Sequence, residues 1–153
     1  MTKYSEKLAV KVVATCLMPN HYHLLLRQTS SQSAGLLVQR VFNSYTKAFN
    51  KFYGTSGTLF ESPFKAKLVD KNEYVGRLCW YIHMNPVAAN LTAGPEEWRF
   101  SNYLECVGKR NLWSHDTDFL SAFFGSPHGY ERFVRSYEET SKGVEHLNEY
   151  LLD

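Results

Sequence analysis

The stretch that most constrains this chain is residues 10–28, VKVVATCLMPNHYHLLLRQ. Residues 10–17 are rich in β-branched side chains, which suit a pleated, half-buried surface. Met18, Pro19 and Asn20 suit a turn, because proline presets φ and removes a donor while asparagine tolerates unusual backbone angles. Residues 21–28 then read as the returning strand of a β-hairpin. A strand dictates which side chains share a face, since residues two apart point the same way. His21 and His23 therefore stand side by side, while Tyr22, Leu24 and Leu26 turn to the opposite face. Paired histidines on a strand are more often hydrogen-bonded structural or surface groups than metal ligands. Here Leu24 and Leu26 claim the core, which leaves the imidazoles on a face that is open or lined by another element.

Residues 1–8 are polar and carry no strong signal. After the hairpin, Ser30, Ser31 and Ser33 mark a break and offer N-caps. Leu36, Leu37, Val41, Tyr45, Ala48, Phe49 and Phe52 then recur at steps of three and four, which predicts an amphipathic helix over 33–53. Its other face carries Arg40, Lys47 and Lys51 among amides, and Gly54 suits its end. Residues 58–60 and 64–70 read as short extended pieces interrupted by Pro63. Lys65 and Lys67 share a face of the second piece. They are candidates either for contacts to phosphate or for the lysines that keep an edge strand from aggregating.

A second helix is predicted over 73–84, capped by Asp70 or Asn72 and ended by Pro86, because proline disfavours helical geometry in the residue before it. Arg77, Tyr81 and Asn85 are spaced i, i+4, i+8, so one face presents a guanidinium, a phenol and, at the fraying end, an amide. Residues 86–95 read as a loop, and 96–107 hold Trp98, Phe100 and Tyr103. A short helix over 116–124 and a helix over 130–152, broken at Gly143, complete the chain.

Composition adds limits. A chain of 153 residues is long enough for one domain with a real core. Three cysteines without a CxxC pair, and no leader of secretory type, read as a reduced, cytoplasmic protein. No apolar run approaches the roughly 18 residues that would cross a bilayer. Residues 1–115 carry 14 Lys+Arg against 7 Asp+Glu, whereas residues 116–153 carry 3 against 8. The basic part suits a polyanion, and the acidic end could dock on that part or compete for it.

His21, His23, Tyr81 and Asn85 together suggest a chemistry. A divalent cation held by two imidazoles and an amide oxygen would keep positions open for a phosphate oxygen. A nearby phenol, once deprotonated from its ordinary pKa of about 10, could then attack phosphorus. A tyrosine nucleophile conserves the phosphodiester energy in a covalent bond, so a free hydroxyl can reverse the cut.

Four segments in order resemble the HUH single-tyrosine transposases, most closely the REP-associated tyrosine transposases. They are MPNHYHLLL at 18–26, SYTKAFNKFYGTSGTLFESPFKAKLV at 44–69, WYIHMNPVAANL at 80–91 and EEWRFSNY at 96–103. The resemblance implies an α+β fold: a ferredoxin-like antiparallel sheet with helices on one face, joined here by acidic C-terminal helices. It also implies a catalytic domain over 1–110 and an acidic helical extension over 111–153 packed on it. By motif match Tyr81 is the nucleophile, and His21, His23 and Asn85 are the ligands of Mg²⁺ or Mn²⁺. The implied substrate is single-stranded DNA with a hairpin, cut to leave a 5′-phosphotyrosine and a free 3′-OH. Arg40, Lys47, Lys65, Lys67 and Arg77 are candidate backbone contacts. Phe60, Phe64, Trp98 and Tyr103 are candidates to stack on unpaired bases, although large aromatics are more often core.

Family members begin with a further strand and helix, and only nine residues precede Val10. The sheet is then expected to lack a neighbour for the histidine strand. That edge is expected to be filled by a second copy in a homodimer, filled by the C-terminal segment, or left open. Two other functions stay in view. One is a non-catalytic relative that binds DNA hairpins, and the other is a metal-dependent nuclease in which water attacks.

Overall fold

The computed structural model describes residues 2–137, and the last part of the helix predicted over 130–152 lies outside them. The fold is α+β. In order it holds α1 (Thr2–Leu8), β1 (Val10–Leu17), β2 (Tyr22–Gln28), α2 (Ala34–Tyr53), α3 (Asn72–Ala88), a 3₁₀ turn (Pro95–Glu97), α4 (Tyr103–Cys106), α5 (Thr117–Phe124) and α6 (Pro127–Tyr137). Residues 2–8, silent in the sequence, form α1 and close a small cluster in which Leu8, Val10 and Leu37 are buried.

β1 and β2 pair antiparallel as predicted, with Cys16 opposite His23 and Leu17 opposite Tyr22, and a bulge between Val12 and Ala14. The two residue sets of β2 go to different helices. Tyr22 stacks on Phe42 of α2 with ring centroids 4.2 Å apart, and Leu26 packs beside Leu37. Leu25, on the opposite face, packs with Leu78 and Tyr81 of α3. Helices therefore cover both faces of the hairpin, not one. One face of β2 carries Tyr22, Leu24 and Leu26, and on the other Leu25 stands between His23 and Arg27; α2 covers the first and α3 covers Leu25.

Among the described residues the sheet has two strands. The far edge of β1 is nevertheless satisfied. Leu17 N–H donates to the Phe100 carbonyl at 2.9 Å, Asn102 N–H to the Thr15 carbonyl at 3.1 Å, and Asp116 N–H to the Val12 carbonyl at 2.8 Å. The Asn102 side chain completes the pairing, accepting from Thr15 N–H at 2.7 Å and donating to the Val13 carbonyl at 3.2 Å. On the outer edge of β2, no backbone bond from another described segment reaches Tyr22, Leu24 or Leu26.

α2 has the boundaries its sequence signals. Ser33 caps it through a bond from Gly35 N–H, and Gly54 ends it at φ +64°, a left-handed conformation that costs glycine little. The pieces at 58–60 and 64–70 join no strand. The Lys65–Leu68 alternation has no face to bury, and Leu68 is 81% exposed.

α3 departs from expectation at both ends. Neither Asp70 nor Asn72 caps it: Lys71 occupies the cap, without a side-chain bond. The helix also runs through Pro86 to Ala88. Proline weakens the local preference, but Met84 and Pro86 are buried, and the Pro86 carbonyl accepts from Leu91 N–H at 2.9 Å. Packing outweighs the local penalty, so Asn85 sits within helix and not on a fraying end.

α5 and α6 join the same core as β1 and α3, where Leu120, Tyr130 and Val134 are buried with Ala14, Cys79 and Ile82. Asp116 caps α5 through Phe119 N–H.

Candidate active site

The turn before β2 is closed by Met18 N–H donating to the His21 carbonyl at 2.8 Å. This sets His21, exposed, one residue before the strand, with His23 two further on. Their rings stand 4.9 Å apart, nearly perpendicular. His21 Nδ1 lies 2.7 Å from Asn20 Oδ1. A carboxamide oxygen can only accept, so that bond puts the proton on Nδ1 and leaves the Nε2 lone pair free to ligate.

α3 brings its polar face to the same place. Asn85 Nδ2 lies 3.2 Å from His23 Nε2, so the amide donates and Nε2 carries a lone pair. A half-turn of the amide puts Oδ1 at that position, an orientation that hydrogen bonding alone assigns. The Tyr81 ring meets the His23 ring edge-on, with centroids 5.4 Å apart. Tyr81 is half-buried, packed against Leu25 and Leu78. The tyrosine and the amide, one helical turn apart, thus both border His23.

A family model described as Transposase IS200 like matches residues 1–85, more than half of the chain, and takes in His21, His23, Tyr81 and Asn85. The chain belongs to the IS200-like transposase family. No curated protein and no solved structure matches it. Family membership makes DNA the partner and DNA processing the kind of work. Among the described residues no helix is long and apolar enough to cross a membrane.

Two imidazoles and an amide come together at this point. Among the described residues no group of three or more His, Cys, Asp or Glu comes together. Imidazole and carboxamide can each offer a lone pair to a cation. That set fits a divalent first-row ion that accepts nitrogen, and Mn²⁺ better than Mg²⁺, which prefers oxygen.

The predicted cations are scattered. Arg77 lies one turn before Tyr81, its guanidinium 5.9 Å from the Tyr74 ring. Lys65 and Lys67 are exposed on the connection between α2 and α3. Arg40 and Lys47 ride on α2, which packs on the sheet face opposite His23. Of the aromatic candidates, Tyr103 is buried in the core. Phe60 packs edge-on against Tyr22 and Phe42. Phe64 is partly exposed, and Trp98 is half-buried.

Three buried groups behind the site carry little local signal in the sequence. His83 Nε2 donates to Asn102 Oδ1 at 2.9 Å, and its Nδ1 lies 2.7 Å from the Tyr130 hydroxyl, which donates to it. Burial holds His83 neutral, its pKa lowered to about 4 against the opposing pull of Asn102 and Glu105. Asp116, fully buried, takes Arg27 Nε at 2.6 Å and Nη2 at 3.1 Å. Glu105 grips Arg110 through Nε at 2.6 Å and Nη2 at 2.7 Å. For both carboxylates burial works against the charge, but bonds to the arginine and to backbone N–H groups outweigh it and lower the pKa. An isolated Asn102 or Asp116 reads as a turn or cap residue, because its real partners lie 87 and 89 positions away.

Proposed function

We propose that this chain is a metal-dependent single-tyrosine transposase that cuts and rejoins single-stranded DNA beside a hairpin. The observation that carries the reading is the meeting at His23 of Asn85, 3.2 Å away, and Tyr81, ring to ring at 5.4 Å. Three residues drawn from motifs about 60 positions apart converge on one point. The segments MPNHYHLLL and WYIHMNPVAANL support the REP-associated branch.

His21, His23 and Asn85 would hold Mg²⁺ or Mn²⁺. A bound divalent ion supplies Lewis acidity, polarising a phosphodiester oxygen. Tyr81 gives up its phenolic proton and its oxygen attacks phosphorus in line. The Tyr81 O–P bond forms as the P–O3′ bond breaks, and the departing oxygen takes a proton to become the free 3′-OH. The DNA 5′-phosphate is left on Tyr81, and a 3′-OH attacking in the reverse sense restores the phosphodiester and the phenol. Tyr81 packs against the buried Leu78, as Leu25 does, and this contact restricts the rotation of its ring beside His23.

The test mixes the full chain with a hairpin-tailed single-stranded oligonucleotide and Mn²⁺ or Mg²⁺. A covalent protein–DNA adduct is expected, lost in Tyr81→Phe and in chelator. An adduct of equal yield in Tyr81→Phe refutes the nucleophile. Cutting without an adduct identifies water as nucleophile, and salt-sensitive binding without cutting identifies a non-catalytic hairpin binder.

A further inference from the structure

Residues 98–101 run antiparallel along the far edge of β1, with Trp98 nearest the turn that presents His21. Trp98 Nε1 donates to the Leu17 carbonyl at 3.0 Å, and Leu17 N–H donates to the Phe100 carbonyl at 2.9 Å. The next residue, Met18, closes the His21 turn. Trp98 and Met18 border the core cluster that Tyr81 also borders. Its backbone is held from behind as well. Arg110 donates to the Arg99 carbonyl at 3.3 Å and to the Ser101 carbonyl at 2.5 Å, while Glu105 anchors that guanidinium.

What this well-held strip presents is an exposed aromatic. Phe100 is 44% exposed and Leu17 beside it 38%. The Trp98 ring lies 5.6 Å from Phe100, and the Arg99 guanidinium 5.1 Å from its centroid. A cation over an aromatic ring next to a second aromatic is the combination that holds a nucleobase through its π face and its phosphate through charge. Paired bases inside a hairpin stem are stacked on both faces, so such a step suits an unpaired base.

We propose that Trp98, Arg99 and Phe100 form a stacking step for one unpaired nucleobase of the DNA flank, beside the His21 turn. The proposal rests on the reading that single-stranded DNA is the substrate. It differs from that reading in needing neither Tyr81 nor a metal. Stacking of this kind tolerates any base, so the step positions the strand and does not read its sequence.

The test is fluorescence anisotropy with the full chain in chelator, using labelled hairpins with and without a single-stranded flank. Phe100→Leu is expected to weaken binding of the flanked hairpin about tenfold and to leave the blunt hairpin within about twofold, while Phe100→Tyr binds like the unaltered chain. Along the flank, one abasic position is expected to weaken the unaltered chain and to erase the Phe100→Leu penalty. Equal affinity of Phe100→Leu for the flanked hairpin overturns the proposal, as does an equal loss on the blunt hairpin. A change in sedimentation without a change in DNA affinity overturns it too, by making the strip a contact between protein chains. A Phe100→Leu penalty without any adduct refutes Tyr81 chemistry alone. A normal adduct without that penalty refutes the stacking step alone.

Discussion

Asn102 is the residue whose loss should be felt most widely. Its side chain accepts from Thr15 N–H and His83 Nε2 and donates to the Val13 carbonyl. It joins the hairpin that carries His23 to the helix that carries Tyr81. Asn102→Ala leaves three buried polar groups without these partners, each costing about 1–3 kcal/mol. Entry of a water into the space offsets part of the loss. A net cost of about 4 kcal/mol follows, a large part of the roughly 5–15 kcal/mol that holds a domain folded. With a urea slope of about 2 kcal/mol per molar, the unfolding midpoint should fall by about 2 M. The backbone bond from Asn102 N–H to Thr15 survives, so the variant should fold at low urea. Amide exchange at Thr15 should accelerate more than elsewhere in β1. A midpoint shift under about 0.5 M, or unchanged protection at Thr15, would refute this account of the β1 edge.

Four further outcomes are expected. The lowered pKa of Asp116 contributes stability that is present above the ordinary carboxylate value near 3.8 and is lost as pH falls through the lower folded value; Asp116→Asn should flatten the stability–pH profile in that acid window, measured by urea midpoints. Cys16 and Cys79 are buried with pKa values pushed up to about 12 by desolvation, so a thiol reagent at pH 8 should label neither until denaturant is added, and fast labelling of the native chain would contradict their burial. Gly54→Ala forces a left-handed residue at the end of α2 and should cost about 1 kcal/mol, read as a lower melting temperature. Asn85→Ala should leave the melting temperature within a few degrees while adduct formation falls at least tenfold, and rescue by Asn85→Asp would support a ligand role over a packing one.

Wherever a feature is decided by neighbours in the chain, it was legible in the sequence. The β-branched run, the Pro-Asn turn and the alternation of His21, Tyr22 and His23 describe the hairpin. Ser33 and Gly54 bound α2 because a cap and a left-handed end are local demands on two residues. The four-residue spacing of Tyr81 and Asn85 places both on one helix face before any tertiary contact is known.

Tertiary structure decided the rest. Pro86 predicts an end to α3, but burial of Met84 and Pro86 carries the helix onward and holds Asn85 against His23, 62 positions away. Both faces of β2 hold apolar residues, Leu24 and Leu26 on one and Leu25 on the other, and only packing assigned the first to α2 and the second to α3. The histidine strand β2 was expected to lack a neighbour on one edge, and no backbone bond from another described segment reaches Tyr22, Leu24 or Leu26 there; the opposite edge of the hairpin, on β1, is served by a short irregular segment and one asparagine side chain. Such contacts leave no periodicity to read. Their free energy comes from satisfying polar groups that burial has stripped of water, and burial exists only once the distant segments have met.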